Sequence, residues 1–169
     1  MDEAIFLLFN ALLPSMGGQL LTILSDPRAP LAFVLVLLGM ALVKQNARPL
    51  ILAGVAVTLT DPVCSWMIKP VVARERPCKV VEGALVPEDE NGRPFCGAGA
   101  SMPSSHAANS AAVAAALGNG PLGLVSAAVG LSRVATGQHW PSDVAAGWAI
   151  GAGLGFGVRA LFRRAFGWT

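Results

Sequence analysis

The chain has two histidines, and each stands inside a tight polar group. His139 lies in S-R-V-A-T-G-Q-H-W-P-S-D, residues 132–143, with Arg133 six residues before it and Asp143 four residues after. His106 closes P-S-S-H, residues 103–106, behind Ser104 and Ser105. A third group, K-P-V-V-A-R-E-R-P, runs from Lys69 to Pro77 and supplies Lys69 and Arg76. These residue types suit phosphoryl transfer, which mainly requires positioning and cancellation of negative charge. Lysine supplies a point charge and arginine a planar fork for phosphate oxygens. A helix starting after Pro103 would add backbone N–H groups at Ser105 and its neighbours, a ready anion site. Of the two imidazoles, one can attack phosphorus while the other protonates the leaving oxygen. Asp143 can reach a ring nitrogen of His139, fix its tautomer and stabilise the charge that develops.

These groups sit at the edges of a strongly apolar sequence. Hydrophobic residues make up 54% and charged residues 13% of the chain, against about 25% charged in a soluble domain. The mean hydropathy of +0.60 points to a membrane protein. An ionisable group beside a bilayer span costs roughly 2.5–3.5 kcal/mol and marks a functional site by default. A net charge of +2 with no basic run before the tail excludes nucleic acid as a partner. Met1-Asp2-Glu3 lacks the positive start of a signal peptide.

The 169 residues read as one all-α membrane domain, a polytopic bundle of five transmembrane helices. An N-terminal segment, 1–25, is broken by Pro14, Gly17 and Gly18 and is expected to lie at the interface or form a sixth, broken helix. The spans are then expected at 29–43, 49–68, 103–117, 122–135 and from Pro141 to about Arg159. Residues 70–102 form the one long aqueous loop. Gly147, Gly151 and Gly155 recur every fourth residue, spacing that lets helix backbones approach closely, and helix three presents a smooth row of alanines.

Five spans would place Lys69–Ser105 and Ala135–Ser142 on one side. Lys44, Arg48, Arg159, Arg163 and Arg164 fall on the other. With Lys69, Arg76 and Arg133 assigned to chemistry, the count of short-loop cations places the polar groups outside by five to four. Cys78 and Cys96 frame the aqueous loop and read as a disulfide candidate in an oxidising compartment, with free thiols as the alternative. Histidine and cysteine spacings match no zinc pattern, so no metal and no other cofactor is expected. Asp61, mid-span, supports the site or is a hydrogen-bonded neutral acid. Arg74 reads as an interfacial anchor, and the tryptophans as belt or packing residues.

Together K-x6-R-P, P-S-S-H and S-R-x5-H-x3-D, spread over roughly 60–145, resemble the three motifs of the type 2 phosphatidic acid phosphatase (PAP2) family. The resemblance implies a metal-independent phosphatase working through a phosphohistidine. By position His139 becomes the nucleophile, Asp143 its orienting partner and His106 the general acid. Lys69, Arg76, Ser104, Ser105 and Arg133 become the phosphate binders. Ser105 replaces the glycine usual in the second motif, which keeps a backbone N–H but adds a hydroxymethyl group.

The expected function is hydrolysis of a lipid phosphate or diphosphate at the outer face of a bacterial inner membrane, with undecaprenyl diphosphate favoured. Lipid A 1-phosphate, phosphatidylglycerol phosphate and phosphatidic acid are alternative substrates, and phosphotransfer to a second lipid is an alternative reaction. A non-enzymatic alternative is an ion- or proton-conducting bundle using Asp61 and the histidines. No feature of the sequence speaks to oligomeric state.

Overall fold

Pro49 sits in the first turn of a helix, where its missing N–H costs nothing, and the chain stays helical from there to residue 72. In the computed structural model, which describes residues 1–11, 23, 35, 38–39, 42–88 and 91–168, this rod has three parts. Helix α2 is Arg48–Pro62, a π-helical turn covers Val63–Ile68, and α3 is Lys69–Val72. The wide turn lies between Pro62 and Pro70, and there the Lys69 N–H reaches back five residues to the Cys64 carbonyl. Each proline withholds an N–H from the carbonyl four residues earlier. A single π turn is a common local answer and often marks a functional site.

Helix α1 is Asp2–Ala11 and precedes the rod. After it come the short α4, Pro77–Val80, and a long irregular loop. Then follow α5, Ser105–Leu117, α6, Gly120–Ala135, and α7, Pro141–Phe166. Among the described residues the fold is all-α, and the one β-type pairing is an isolated bridge between Glu88 and Pro94.

Glycine decides how α5 and α7 meet. A Cβ on Gly147 would lie 2.6 Å from the Ser104 carbonyl oxygen, one on Gly151 2.0 Å from that of Ala108, and one on Gly155 2.3 Å from that of Ala112. The two backbones therefore touch, and Ala107, Ala108, Ala112 and Ala116 are buried between helices. Helix α2 covers the other side of α5 through Ala53, Ala56, Val113 and their neighbours.

The expectation of five spans does not hold. Among the described residues two helical stretches are long and apolar enough to cross a membrane, Arg48–Val80 and Pro141–Phe166. Crossing takes about 20 apolar residues, whereas α5 has 13 and α6 has 16. Alanine and serine make α5 suited to burial between helices, not to facing lipid. The expected span 29–43 falls outside the described residues, apart from isolated positions, and so does most of 12–25. Both long stretches turn large apolar side chains outward: Leu59, Trp66, Met67 and Val71 on the first, Phe156 and Leu161 on the second. Helix α1, in the segment expected to lie at the interface or form a broken helix, packs against the rest of the protein. Its Phe6 is fully buried against Trp140, edge to face at 5.5 Å. Its Asn10 donates to the carbonyls of Leu85 and Ala135 and accepts from the Leu85 N–H.

Candidate active site

The turn between α6 and α7 carries His139 and is built on one carbonyl. The N–H groups of Gln138 and His139 both donate to the oxygen of Arg133, at 3.1 Å each. Gly137 takes φ +72°, open to glycine without strain, and a Cβ there would press on Val86 and Leu85. Pro141 then starts α7, and the Asp143 carboxylate reaches back to the Trp140 N–H at 2.9 Å. His139 and Asp143 thus stand on the two sides of a helix N-terminus, both buried.

The imidazole lies between two charges of opposite sign. Its Nδ1 is 3.6 Å from Asp143 Oδ2. On the other side Arg76 Nη1 lies 3.2 Å from Nε2. A guanidinium nitrogen only donates, so Nε2 is the unprotonated nitrogen and Nδ1 carries the hydrogen on the Asp143 side. Burial, opposed by Asp143 and reinforced by Arg133 and Arg76, lowers the His139 pKa to about 3. The ring is therefore neutral at physiological pH.

Arg76 is held in place by carbonyls. Its guanidinium donates to the oxygens of Gln138 (2.9 Å), Ala98 (3.2 Å), Gly99 (3.3 Å) and Ala100 (3.3 Å). These bonds offset the cost of burying the charge. They also wrap residues 98–100 around it. A Cβ on Gly97 would come within 3.2 Å of the Arg76 Cζ, so the guanidinium would have to shift slightly. Arg76 reaches this position because Ala73, at φ 48°, ψ 31°, ends α3 in the left-handed region. The helix ends there, and Arg76 itself is extended at φ −79°, ψ 148°. A non-glycine residue in the left-handed region carries strain of about 1–2 kcal/mol, a cost seen more often at functional sites.

The second motif arrives from α5. Ser104 is its N-cap: the hydroxyl accepts from the Ala107 N–H at 3.5 Å, and its own N–H donates to the Asp143 carbonyl at 3.0 Å. That last bond ties the start of α5 directly to the start of α7. The first-turn N–H groups of Ser105 and His106 have no intrahelical acceptor. Ser105 turns its hydroxyl to that of Ser65 on the π-helical turn, 3.3 Å away. His106 Nε2 is buried without a hydrogen-bond partner, and Lys69, Arg76 and Arg133 all lie within electrostatic reach of this ring. Arg133, in the last turn of α6, is buried. All eight residues expected at the site gather around one end of the α5–α7 pair. Cys78 and Cys96 are joined by a disulfide, Cα atoms 6.0 Å apart.

Residues 122–166 match the PAP2 superfamily, the part of the chain that holds Arg133, His139 and Asp143. The chain is 32% identical over 126 residues to decaprenylphosphoryl-5-phosphoribose phosphatase from two strains of Mycobacterium tuberculosis. The match covers 72% of this chain and 66% of each relative, just short of two thirds of its length. The fold is shared with a transmembrane PAP2-type phosphatidylglycerolphosphate phosphatase from Bacillus subtilis, at a TM-score of 0.68 and 22% identity, over 97% of this chain and 85% of that one. It is also shared with LpxE of Aquifex aeolicus, at a TM-score of 0.64 and 22% identity, over 92% of each chain. The chain has the membrane phosphatase fold of the PAP2 superfamily. It is related to the PAP2-type lipid phosphatases.

Three further polar residues, Gln138, Arg74 and Asp61, are bonded at or near the same end of the helix pair. Gln138, between the motif positions, is buried and accepts from the Gly97 N–H at 2.9 Å while donating to the Phe95 carbonyl at 2.8 Å. It clamps the disulfide-bearing loop onto the turn that carries His139. Arg74 donates to Asp143 Oδ1 at 2.8 Å and to Asp2 at 2.6 Å; it is no free interfacial anchor. Polar residues 41 and 69 positions from their partners leave no local pattern to read. Asp61 accepts from Asn109 Nδ2 at 3.0 Å, one helical turn along α5 from His106. Among the described residues no group of histidine, cysteine and acidic side chains has the makings of a metal site.

Proposed function

We propose that this chain is a metal-independent phosphatase. Its substrate would be a phosphate monoester or diphosphate carried on a polyprenyl lipid, cleaved through a phosphohistidine at His139. The observation that carries the reading is the placement of the His139 Nε2 lone pair against Arg76, with Asp143 behind Nδ1. A nucleophile that starts neutral, next to a cation that will neutralise the phosphoryl oxygens, is what the first step requires.

In that step Nε2 forms a bond to phosphorus and the bond to the leaving oxygen breaks. Arg76, Lys69, Arg133, Ser104 and the first N–H groups of α5 take up the charge on the phosphoryl oxygens. His106, protonated once the substrate's negative charge offsets Lys69, Arg76 and Arg133 around it, supplies the proton to the leaving oxygen, and Asp143 stabilises the positive charge on the His139 ring. Water then attacks phosphorus with His106 as base, releasing phosphate and restoring the free imidazole. Ser105, with its hydroxyl turned to Ser65, contributes its backbone N–H.

The polyprenyl carrier is supported by the mycobacterial relatives, which are named for a decaprenyl-linked phosphoribose. Undecaprenyl diphosphate and a polyprenylphosphoryl sugar phosphate are the two substrates to be compared. The Cys78–Cys96 bond beside the site supports a site facing the oxidising, outer side of a bacterial inner membrane. Purified protein in detergent should release phosphate from at least one polyprenyl substrate, and EDTA should leave the rate unchanged. No release from either, or complete loss with EDTA, would overturn the reading.

A further inference from the structure

Asp143 has more partners than a residue that only orients His139 needs. One oxygen accepts from the Trp140 N–H and faces His139, while the other accepts from Arg74 Nη1 at 2.8 Å. Arg74 is itself held from several directions. Its Nη2 donates to Asp2 Oδ2 at 2.6 Å, its Nη1 also donates to the Ser142 hydroxyl at 2.6 Å, and its Cζ lies 5.0 Å over the Trp140 ring. Asp2 closes the circuit. Its carboxylate accepts from the backbone N–H of Ser142 at 3.1 Å and from the Ser142 hydroxyl. The Trp140 ring is fixed in turn by Phe6 at 5.5 Å and by its own N–H to the Glu75 carbonyl at 2.9 Å. One line runs from the neutral imidazole through carboxylate and guanidinium to a second carboxylate. The last group comes from the first turn of the chain.

We infer that Arg74 and Asp2 are a positioning pair for Asp143, so that helix α1 is a working part of the active site. The inference rests on the phosphatase reading for its kinetic consequence, but its geometric consequence can be read without turnover. Arg74 shares the negative charge of Asp143 and fixes which lone pair faces His139. Without it the carboxylate is free to swing toward Nδ1 and hold the imidazolium more strongly. The groups facing His139 are Arg76 from the segment after α3, Arg133 from α6 and Asp143 from α7. Those facing Arg74 are Asp2 from α1 with Ser142 and Asp143 from α7.

The test compares full-length wild type with Arg74→Gln, Arg74→Lys and Asp2→Asn. Kinetics are measured on a polyprenyl phosphate. The two imidazoles are also followed by NMR with isotope-labelled histidine. Arg74→Gln should lower kcat about 10-fold to 100-fold with little change in KM, because misplacing a reacting group by a fraction of its bond reach has that effect. The His139 titration midpoint should rise by about one unit, the size of a nearby charge effect. Arg74→Lys should restore the midpoint and part of kcat. Asp2→Asn, at a side chain 28% exposed, should move both readouts the same way by less. A His139 midpoint unchanged in both Arg74→Gln and Asp2→Asn, with kcat within twofold of wild type, would overturn the inference. If wild type releases no phosphate, the phosphatase reading falls, and the NMR midpoints still decide the positioning role.

Discussion

Arg76 Nη1 lies 3.2 Å from His139 Nε2, two groups 63 residues apart in the chain that meet at the end of the α5–α7 pair. In the proposed reaction the substrate's phosphoryl group would take over the Arg76 donor and so free the imidazole lone pair for phosphorus. Replacing Arg76 by lysine keeps a charge but loses the fork that holds four carbonyls. Phosphate release by Arg76→Lys should fall about 100-fold or more, the effect of removing a preorganised donor. Its melting temperature in detergent should fall too, because the carbonyls of Ala98, Gly99 and Ala100 lose their partner.

The contact of α5 with α7 makes a matched pair of substitutions informative. Gly151→Ala would place a methyl 2.0 Å from the Ala108 carbonyl oxygen, whereas Gly153→Ala meets nothing within 4 Å. The first should destabilise the protein by about 1–3 kcal/mol through overpacking. It should also lower activity, because Ser104 and Asp143 ride on the two helices it separates. The second should lie within about 0.5 kcal/mol of wild type. Thermal unfolding and phosphate release measured together check both.

The Cys78–Cys96 bond spans 18 residues of the loop that Gln138 clamps. Replacing both cysteines by serine should lower stability by about 3 kcal/mol, the chain-entropy value for a loop of this length. Activity should fall with it, since residues 95–100 lead from this bond to Arg76. Thermal unfolding of the double variant beside oxidised wild type gives the comparison.

His139 predicts an unusual pH dependence. Its folded pKa is lowered to about 3 from the ordinary 6.5, chiefly by burial. The attacking form is the neutral one, so kcat/KM should show no loss attributable to His139 as pH falls through 6.5. For stability the sign follows from proton uptake by the unfolded chain. Above 6.5 both states hold a neutral ring. As pH falls from 6.5 toward 3 the unfolded state binds the proton and the folded state does not, so stability declines across that window. Unfolding midpoints against pH, in wild type and in His139→Asn, should differ in slope there.

Much of the site was legible because its chemistry is written in short runs. Lys69 to Pro77, Pro103 to His106 and Ser132 to Asp143 each keep several polar candidates within a few residues, and the structure gathers them. Arg74 is the instructive failure. At the edge of an apolar helix its charge looks like any snorkelling anchor, and its role rests on Asp2 and Asp143, on different helices. Gln138 hid in the same way. Hydropathy also misled, since α5 owes its apolar composition to alanines packed against the glycines of α7. A helix of 13 residues buried between neighbours looks in sequence like a short span.

The central claim is that His139 itself forms a bond to phosphorus. Rapid-quench mixing of purified protein with a polyprenyl substrate radiolabelled at the scissile phosphate tests it most directly. The account predicts acid-labile label on wild-type protein, localised to His139, and none on His139→Ala. Label that persists on His139→Ala, or wild-type turnover by that variant, would contradict it.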